Sequence, residues 1–169
     1  MIAVVGPPRS GTSLVMQTLV KLGFIPIGDQ FPQHRERQGN PQGYWEDKNA
    51  LKGEFVNQQD GCVKVMLVAF LAKPRWDCKI ILCAREVGRI VESQDRFGLN
   101  PNVDRAKRKM HESYQRFMMA ADTANAEWIA VDLDQWREDA ELGVNHIVQF
   151  VGVPARGIDA AIDNVQVSR

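Results

Sequence analysis

The chain has 169 residues, 44% of them hydrophobic, which is enough to bury one core in a single domain spanning residues 1–169. Lys plus Arg and Asp plus Glu number 21 each, so the formal net charge is zero and no global basic field favours nucleic acid or an anionic membrane. No apolar run approaches the ~20 residues of a membrane span, and the first strand begins too early to leave room for a signal peptide. These features predict a cytoplasmic protein without nucleic-acid or membrane partners.

The cysteines and histidines show no metal-ligand spacing. The cysteines lie in or beside apolar runs without a Cys-x2-Cys pair, which is typical of buried, reduced thiols in a cytoplasmic protein. The histidines lie far apart in the sequence. The residues concerned are Cys62, Cys78, Cys83, His34, His111 and His146.

The chain opens on an apolar run over residues 2–6, followed by a turn of Gly, Pro and Ser. The next apolar residues have the spacing of one helix face, from Leu14 to Leu22. A strand, a tight loop and a helix in this order direct backbone N–H groups and a helix N-terminus towards one point. Such a point attracts phosphate or sulfate.

The loop departs from the nucleoside-triphosphate P-loop in one position. Gly6 and Gly11 have the Gly-x4-Gly spacing, but Thr12 stands where that motif requires Lys. The cation of the loop is Arg9 instead. This substitution argues against a chain that binds ATP through Mg²⁺ and a loop lysine.

The remaining segments alternate between helical and strand patterns. Residues 28–44 have no periodicity and predict a long loop. The predicted elements that follow are a helix over 46–57, a strand over 63–68 with helix as an option over 66–73, a strand over 79–84, a helix from Val87, a long helix capped by Asn100 and Pro101, a strand over 127–133, a short helix capped by Asp134, and a helix over 144–151.

This alternation predicts an α/β fold of the three-layer P-loop type, with a mainly parallel central sheet flanked by helices. In such sheets ligands bind at the carboxyl ends of the strands. Gly6 and Arg85 each follow directly on a predicted strand, so we expect both to border the same crevice.

Four segments resemble sulfotransferases that use 3′-phosphoadenosine-5′-phosphosulfate (PAPS). The Pro-Arg-Ser-Gly-Thr-Ser run over 8–13 resembles their 5′-phosphosulfate loop. Arg85 at a strand end and Ser93 eight residues later resemble their 3′-phosphate ligands, although Val87 stands where the family usually has Pro. Weaker similarity covers Asn-Pro-Gln-Gly-Tyr-Trp-Glu-Asp over 40–47 and the segments 131–133 and 150–154.

The resemblance implies transfer of a sulfuryl group from PAPS to a hydroxyl or amine of a small-molecule or glycan acceptor. Displacement would be in line, would need no metal, and would release adenosine 3′,5′-bisphosphate. The cofactor-binding residues that it implies are Arg9, Ser10, Gly11, Thr12 and Ser13 for the 5′-phosphosulfate, with Arg85 and Ser93 for the 3′-phosphate. Lys64 falls where related enzymes carry a lysine that can donate to the bridging oxygen, with a strand-end surface lysine as the alternative.

The acceptor must lose a proton, which requires a base within hydrogen-bond reach. Glu46 is the first candidate, Asp47 the second and His34 the third. The alternative role of the two carboxylates is to cap a helix N-terminus. Trp45 and Trp76 can stack on adenine, although tryptophans in small domains belong more often to the core.

Two other functions stay open at this point. A Mg²⁺-dependent P-loop kinase for a small metabolite would use the basic run at Arg105, Lys107, Arg108 and Lys109 as a lid, although such a run is usually the solvated face of a helix. A nucleotide-binding or interaction module without catalysis is the other alternative. The chain is shorter than typical sulfotransferases, and a homodimer is one way to recover missing surface.

Overall fold

The computed structural model describes residues 1–30, 45–96, 102–152 and 157–167. Its centre is a parallel sheet of five strands in the order β2-β5-β1-β6-β7. These strands are β1 (Ile2–Gly6), β2 (Ile25–Ile27), β5 (Gly61–Met66), β6 (Lys79–Ala84) and β7 (Trp128–Asp132). A separate antiparallel pair consists of β3 (Asp29–Gln30) and β4 (Trp45–Glu46).

Helices cover both faces of the sheet, which confirms the predicted three-layer α/β architecture with a parallel sheet. The helices are α1 (Thr12–Lys21), α2 (Leu67–Ala72), α3 (Val87–Arg96), α4 (Val103–Thr123), α5 (Leu133–Glu138), α6 (Ala140–Val151) and α7 (Ile158–Val167). A 3₁₀ turn spans Ala50–Lys52.

The strand β1 is the central strand of the sheet, and all five of its residues are buried. Alternate side chains enter two different cores, as the pleat of a strand requires. The core on the side of α1, α6 and α7 includes Ile2, Val4, Leu14, Met16, Leu19, Val144, Ile147, Ala161 and Val165. The core on the side of α2 and α4 includes Ala3, Val5, Val63, Val65, Phe70, Ile80, Leu82, Phe117 and Ala121.

Three local predictions are wrong. Residues 46–57 do not form a helix, because Glu46 pairs with Asp29 in the antiparallel pair and only a 3₁₀ turn follows. The cap of α4 is Asn102, whose side chain accepts the Arg105 N–H; Asn100 and Pro101 lie outside the described residues.

The third wrong prediction concerns α5. Its cap is Asp132, whose carboxylate accepts the N–H groups of Asp134 and Gln135. Asp134 therefore lies in the first turn of α5, and its carboxylate points to other partners. The strand predicted over 63–68 runs from Gly61 to Met66, and α2 follows it at once.

An aromatic cluster fills the core beneath α2 and α4. Phe117 is fully buried, and its ring centroid lies 5.8 Å from Phe70, 5.9 Å from Trp76 and 5.4 Å from Trp128. Trp76 precedes β6, whereas Arg85 follows it. Trp76 therefore lies at the amino ends of the parallel strands, opposite to the carboxyl ends where the loop after β1 lies. This placement argues against Trp76 as a platform for adenine.

We expect Phe117→Ala to lower the free energy of unfolding by about 3–5 kcal/mol, because it empties a fully buried ring position. Met119→Ala on the same helix is the matched control, since Met119 is 71% exposed and its loss should change stability by less than about 0.5 kcal/mol. Urea unfolding of both variants measures the difference, and equal stabilities would contradict this core.

The cysteine thiols are all buried, as the sequence predicts for them. Burial raises the pKa of Cys62 to about 12 and that of Cys78 to about 11. The pKa of Cys83 is also raised by burial, against the opposing effect of the positive charge of Lys64.

A raised pKa in the folded state means that the unfolded chain loses its thiol protons first as the pH rises. The free energy of unfolding is therefore expected to fall from about pH 9 upwards, by up to ~1.4 kcal/mol per thiol and pH unit. Urea unfolding between about pH 8 and pH 10.5 measures this slope. Cys62→Val should make the slope shallower, and an unchanged slope would contradict the assignment.

Candidate functional site: a phosphate-type loop and an arginine cluster

The loop between β1 and α1 is closed by its own serine. The Ser10 N–H donates to the Pro7 carbonyl at 3.2 Å, and the Ser10 Oγ donates to the same oxygen at 2.9 Å. Ser10 is fully buried as a result, and Thr12 is nearly so. The loop is thus a tight turn held from within.

Two glycines make this turn sterically feasible. A Cβ on Gly6 would lie 2.4 Å from the Ser10 Oγ and 2.8 Å from the Thr12 Cγ2, so the loop folds back over the strand only if residue 6 is Gly. Gly11, the N-cap residue of α1, has a φ of 98°, which a residue with a side chain rarely adopts. The Gly-x4-Gly spacing therefore has a structural cause in the turn itself.

The N-terminus of α1, like that of α2, differs from those of α3, α4, α5 and α6. Within the described residues, no side chain caps α1 and its first turn has no acidic residue. By contrast, α3, α4, α5 and α6 have their first N–H groups bound by Glu86, Asn102, Asp132 and Asp139. The Gly11 carbonyl accepts from Leu14 and Val15, so the N–H groups of Thr12 and Ser13 precede the first bonds of the helix.

Arg9 joins the loop to α3. Its Nε donates to the Ser93 Oγ at 3.0 Å, and the nearby Gln94 Nε2 donates to the Pro8 carbonyl at 3.2 Å. Arg9 has a φ of 74°, a conformation that costs a residue with a side chain about 1–3 kcal/mol. The structure thus brings together two motifs that are separated by 84 residues in the sequence.

Arg85 and Ser93 do not face the same group. Ser93, 8% exposed, lies against Arg9, whereas the Arg85 Nε donates to Asp134 Oδ1 at 3.2 Å. Arg89 contacts the same oxygen through Nη1 at 3.0 Å. A phosphate bound by both Arg85 and Ser93 would therefore either use the Nη groups of Arg85 or compete with Asp134 for this guanidinium.

Arg137 adds a further cation to this cluster. Burial lowers the pKa of Arg137, and the positive charges of Arg85 and Arg89 lower it further, while Asp134 opposes them. Arg89 and Arg137 are not among the site residues predicted from the sequence. The available signal was the short spacing of Arg85 and Arg89, which places one arginine directly after β6 and the other in the first turn of α3.

Lys64 is buried in the sheet and does not lie at the exposed end of a strand. It is 8% exposed and pairs in register with Val4, two positions before the end of β5. Its neighbours Val63 and Val65 face the core of α2 and α4, so Lys64 projects towards the side of α1. Its predicted contact with a bridging oxygen stays a prediction.

The three candidate bases have different placements. Asp47 Oδ1 accepts the N–H groups of Asn49 at 2.7 Å and Ala50 at 2.8 Å, so this carboxylate caps the 3₁₀ turn. Glu46 lies on β4 beside Trp45, which packs against the core of α1. His34 lies outside the described residues. Glu46 as the base stays a prediction.

The described residues contain no group of three or more His, Cys, Asp or Glu side chains that could hold a metal ion. None of the helices within residues 1–30, 45–96, 102–152 and 157–167 is long and apolar enough to cross a membrane.

No family model matches the sequence, and no curated protein matches it. Among solved structures, the fold is similar to a retinol dehydratase in complex with androsterone and the inactive cofactor PAP, with a TM-score of 0.61 at 12% identity. The match covers 99% of this chain, which spans 64% of that chain's length. The chain therefore shares the α/β fold of that structure, with little sequence identity.

We expect Arg9→Gly to weaken ligand binding while leaving the stability of the protein nearly unchanged. Relief of the left-handed backbone offsets the lost Arg9–Ser93 hydrogen bond, so the free energy of unfolding should stay within about 1 kcal/mol of the wild type. Loss of the loop cation should weaken binding of adenosine 3′,5′-bisphosphate by about tenfold or more. Urea unfolding and calorimetry measure the two effects, and unchanged affinity would remove Arg9 from the site.

Proposed function

We propose that this protein is a sulfotransferase that moves the sulfuryl group of PAPS to a hydroxyl or amine of a small-molecule or glycan acceptor. One observation carries the proposal: the Arg9–Ser93 hydrogen bond of 3.0 Å joins the loop and α3 beside a helix N-terminus without a side-chain cap. The similarity of the fold to a PAP complex supports the same class of nucleotide.

The residues present fit the charge and shape of this donor. Gly6 and Gly11 allow the loop to fold closely over β1, where a side chain would collide with Ser10 or Leu133. The N–H groups of Gly11, Thr12 and Ser13 and the Arg9 guanidinium would hold the 5′-phosphosulfate. Arg85 and Ser93 would hold the 3′-phosphate, with the Ser93 hydroxyl free to donate while it accepts from Arg9.

The donor supplies an activated sulfuryl group, and the protein supplies position and charge. Arg9 and the N-terminus of α1 neutralise negative charge that grows on the leaving phosphate. Lys64, on the α1 side of β5, adds a second cation beneath the loop. Glu46 is proposed to take the acceptor proton, with Asp47 and His34 as the alternatives.

The kinase alternative finds less support in the structure. Thr12 stands in the position of the P-loop lysine, and its side chain is buried within the turn. The basic residues proposed for a lid are all exposed on α4, as expected for a solvated helix face: Arg105, Lys107, Arg108 and Lys109. Kinase activity and a module without catalysis are therefore outcomes of the test below.

Calorimetric titration with adenosine 3′,5′-bisphosphate, ADP and ATP, with and without Mg²⁺, tests the proposal. We expect a preference for the bisphosphate that does not depend on the metal. Arg85→Ala should weaken bisphosphate binding by about tenfold or more, because a charge-assisted hydrogen bond to the 3′-phosphate is lost.

Ser93→Ala should weaken binding of the bisphosphate by about three- to tenfold. Ser113→Ala is the matched control, since the Ser113 hydroxyl donates to the Lys109 carbonyl within α4. Preference for ATP with Mg²⁺ would replace the proposal with the kinase. Bisphosphate binding without sulfate transfer to any of a broad acceptor panel would favour the module without catalysis.

A further inference from the structure

Asp134 binds two arginines through one oxygen. Arg85 Nε and Arg89 Nη1 lie 3.2 Å and 3.0 Å from Oδ1. In the described part of the chain, the Oδ2 atom is buried and accepts no hydrogen bond. One negative charge is thus shared between two guanidinium groups, and half of the carboxylate's capacity as an acceptor is unused.

This cluster lies next to the phosphate-type loop. The side chain of Leu133, the first residue of α5, lies 2.8 Å from the position that a Cβ on Gly11 would take. Asp134 follows Leu133 directly, and Arg85 follows the carboxyl end of β6, the neighbour of β1 in the sheet. The arginines therefore lie at the carboxyl ends of the strands, as does the N-terminus of α1.

The nearby acidic groups are engaged elsewhere. The Glu86 carboxylate accepts the N–H groups of Gly88 and Arg89 at the start of α3. The Asp132 carboxylate caps α5. Two guanidinium groups therefore share one carboxylate oxygen, although each has a planar fork that could bind a carboxylate or a phosphate in a bidentate manner.

We propose that Arg89 joins Arg85 in a two-arginine site for a phosphomonoester dianion, and that Asp134 is the internal counter-ion which this dianion displaces. A phosphate offers three oxygens and two charges, so it satisfies both guanidinium groups better than the shared Oδ1. Asp134 then acts as a specificity-determining residue, because it makes the arginines unattractive to ligands without such a group. The proposal rests on the proposed function, which supplies the 3′-phosphate as the ligand.

The experiment compares the affinities of adenosine 3′,5′-bisphosphate and adenosine 5′-phosphate by calorimetry. The ratio of the two affinities measures the contribution of the 3′-phosphate to binding. Arg89→Gln should weaken bisphosphate binding by about three- to tenfold, because Arg89 is 57% exposed and its contact is partly screened. Asp134→Asn should tighten bisphosphate binding by about three- to tenfold, because a competing negative charge is removed. Neither variant should change the affinity for the 5′-phosphate by more than about twofold.

Arg116→Gln is the matched control, since it removes the same charge from an exposed position on α4 and should leave both affinities unchanged. Thermal melts check that each variant is folded, and Asp134→Ser replaces Asp134→Asn if the latter unfolds. Support requires both the loss with Arg89→Gln and the gain with the Asp134 variant.

The outcomes separate this inference from the proposed function. If the wild type prefers the bisphosphate but Arg89→Gln keeps that preference, the two-arginine site is wrong and the proposed function stands. Weaker or unchanged binding by the Asp134 variant likewise overturns the counter-ion, since it would mean that Asp134 only orients the arginines. If the wild type binds neither nucleotide, or prefers ATP with Mg²⁺, both proposals fail.

Discussion

The N-terminal turn of α1 is the constraint on which the rest of the site depends. Its N–H groups have no side-chain cap, so the fold holds a partial positive charge and a set of donors at the end of β1. The surrounding residues serve this arrangement: Gly6 gives room, Gly11 supplies the left-handed turn, and Ser10 closes the loop. Arg9 has a strained, left-handed backbone and places a full positive charge beside this N-terminus. A loop that only connected a strand to a helix would not require these glycines or a strained arginine.

Charge in this protein is local, since the chain as a whole is neutral. The arginines that follow β6 are held by a carboxylate of α5, and the arginine of the loop is held by a hydroxyl of α3. Each of these three arginines, Arg85, Arg89 and Arg9, thus has a partner from a different element. The hydroxyl partner keeps its ability to donate, whereas the carboxylate partner competes with any anion. The two halves of the proposed site are therefore expected to differ in how readily they bind an anion.

Elements with strong local signals could be predicted from the sequence. The strands β1 and β6 are buried apolar runs, and α1 shows its face through regular spacing, so each agrees closely with expectation. The three-residue strand β2 contains a proline and gives no such signal. Over 46–57, a few inward apolar residues suggested a helix, but pairing of Glu46 with Asp29 decided the local structure. The predicted cap of α5, Asp134, was wrong by two residues, because Asp132 and Asp134 have the same propensity to cap a helix.

The contact between Arg9 and Ser93 could not be read from the local sequence, because sheet topology produces it. From β1 the chain passes through α1 to β2 on one side of the sheet, whereas from β6 it passes through α3 and α4 to β7 on the other side. The connections after these two neighbouring strands therefore diverge and leave a crevice outside their carboxyl ends, which is where α/β sheets bind ligands. The Arg9–Ser93 hydrogen bond spans this crevice. The strand order thus favours a binding site at this position on grounds that are independent of any motif.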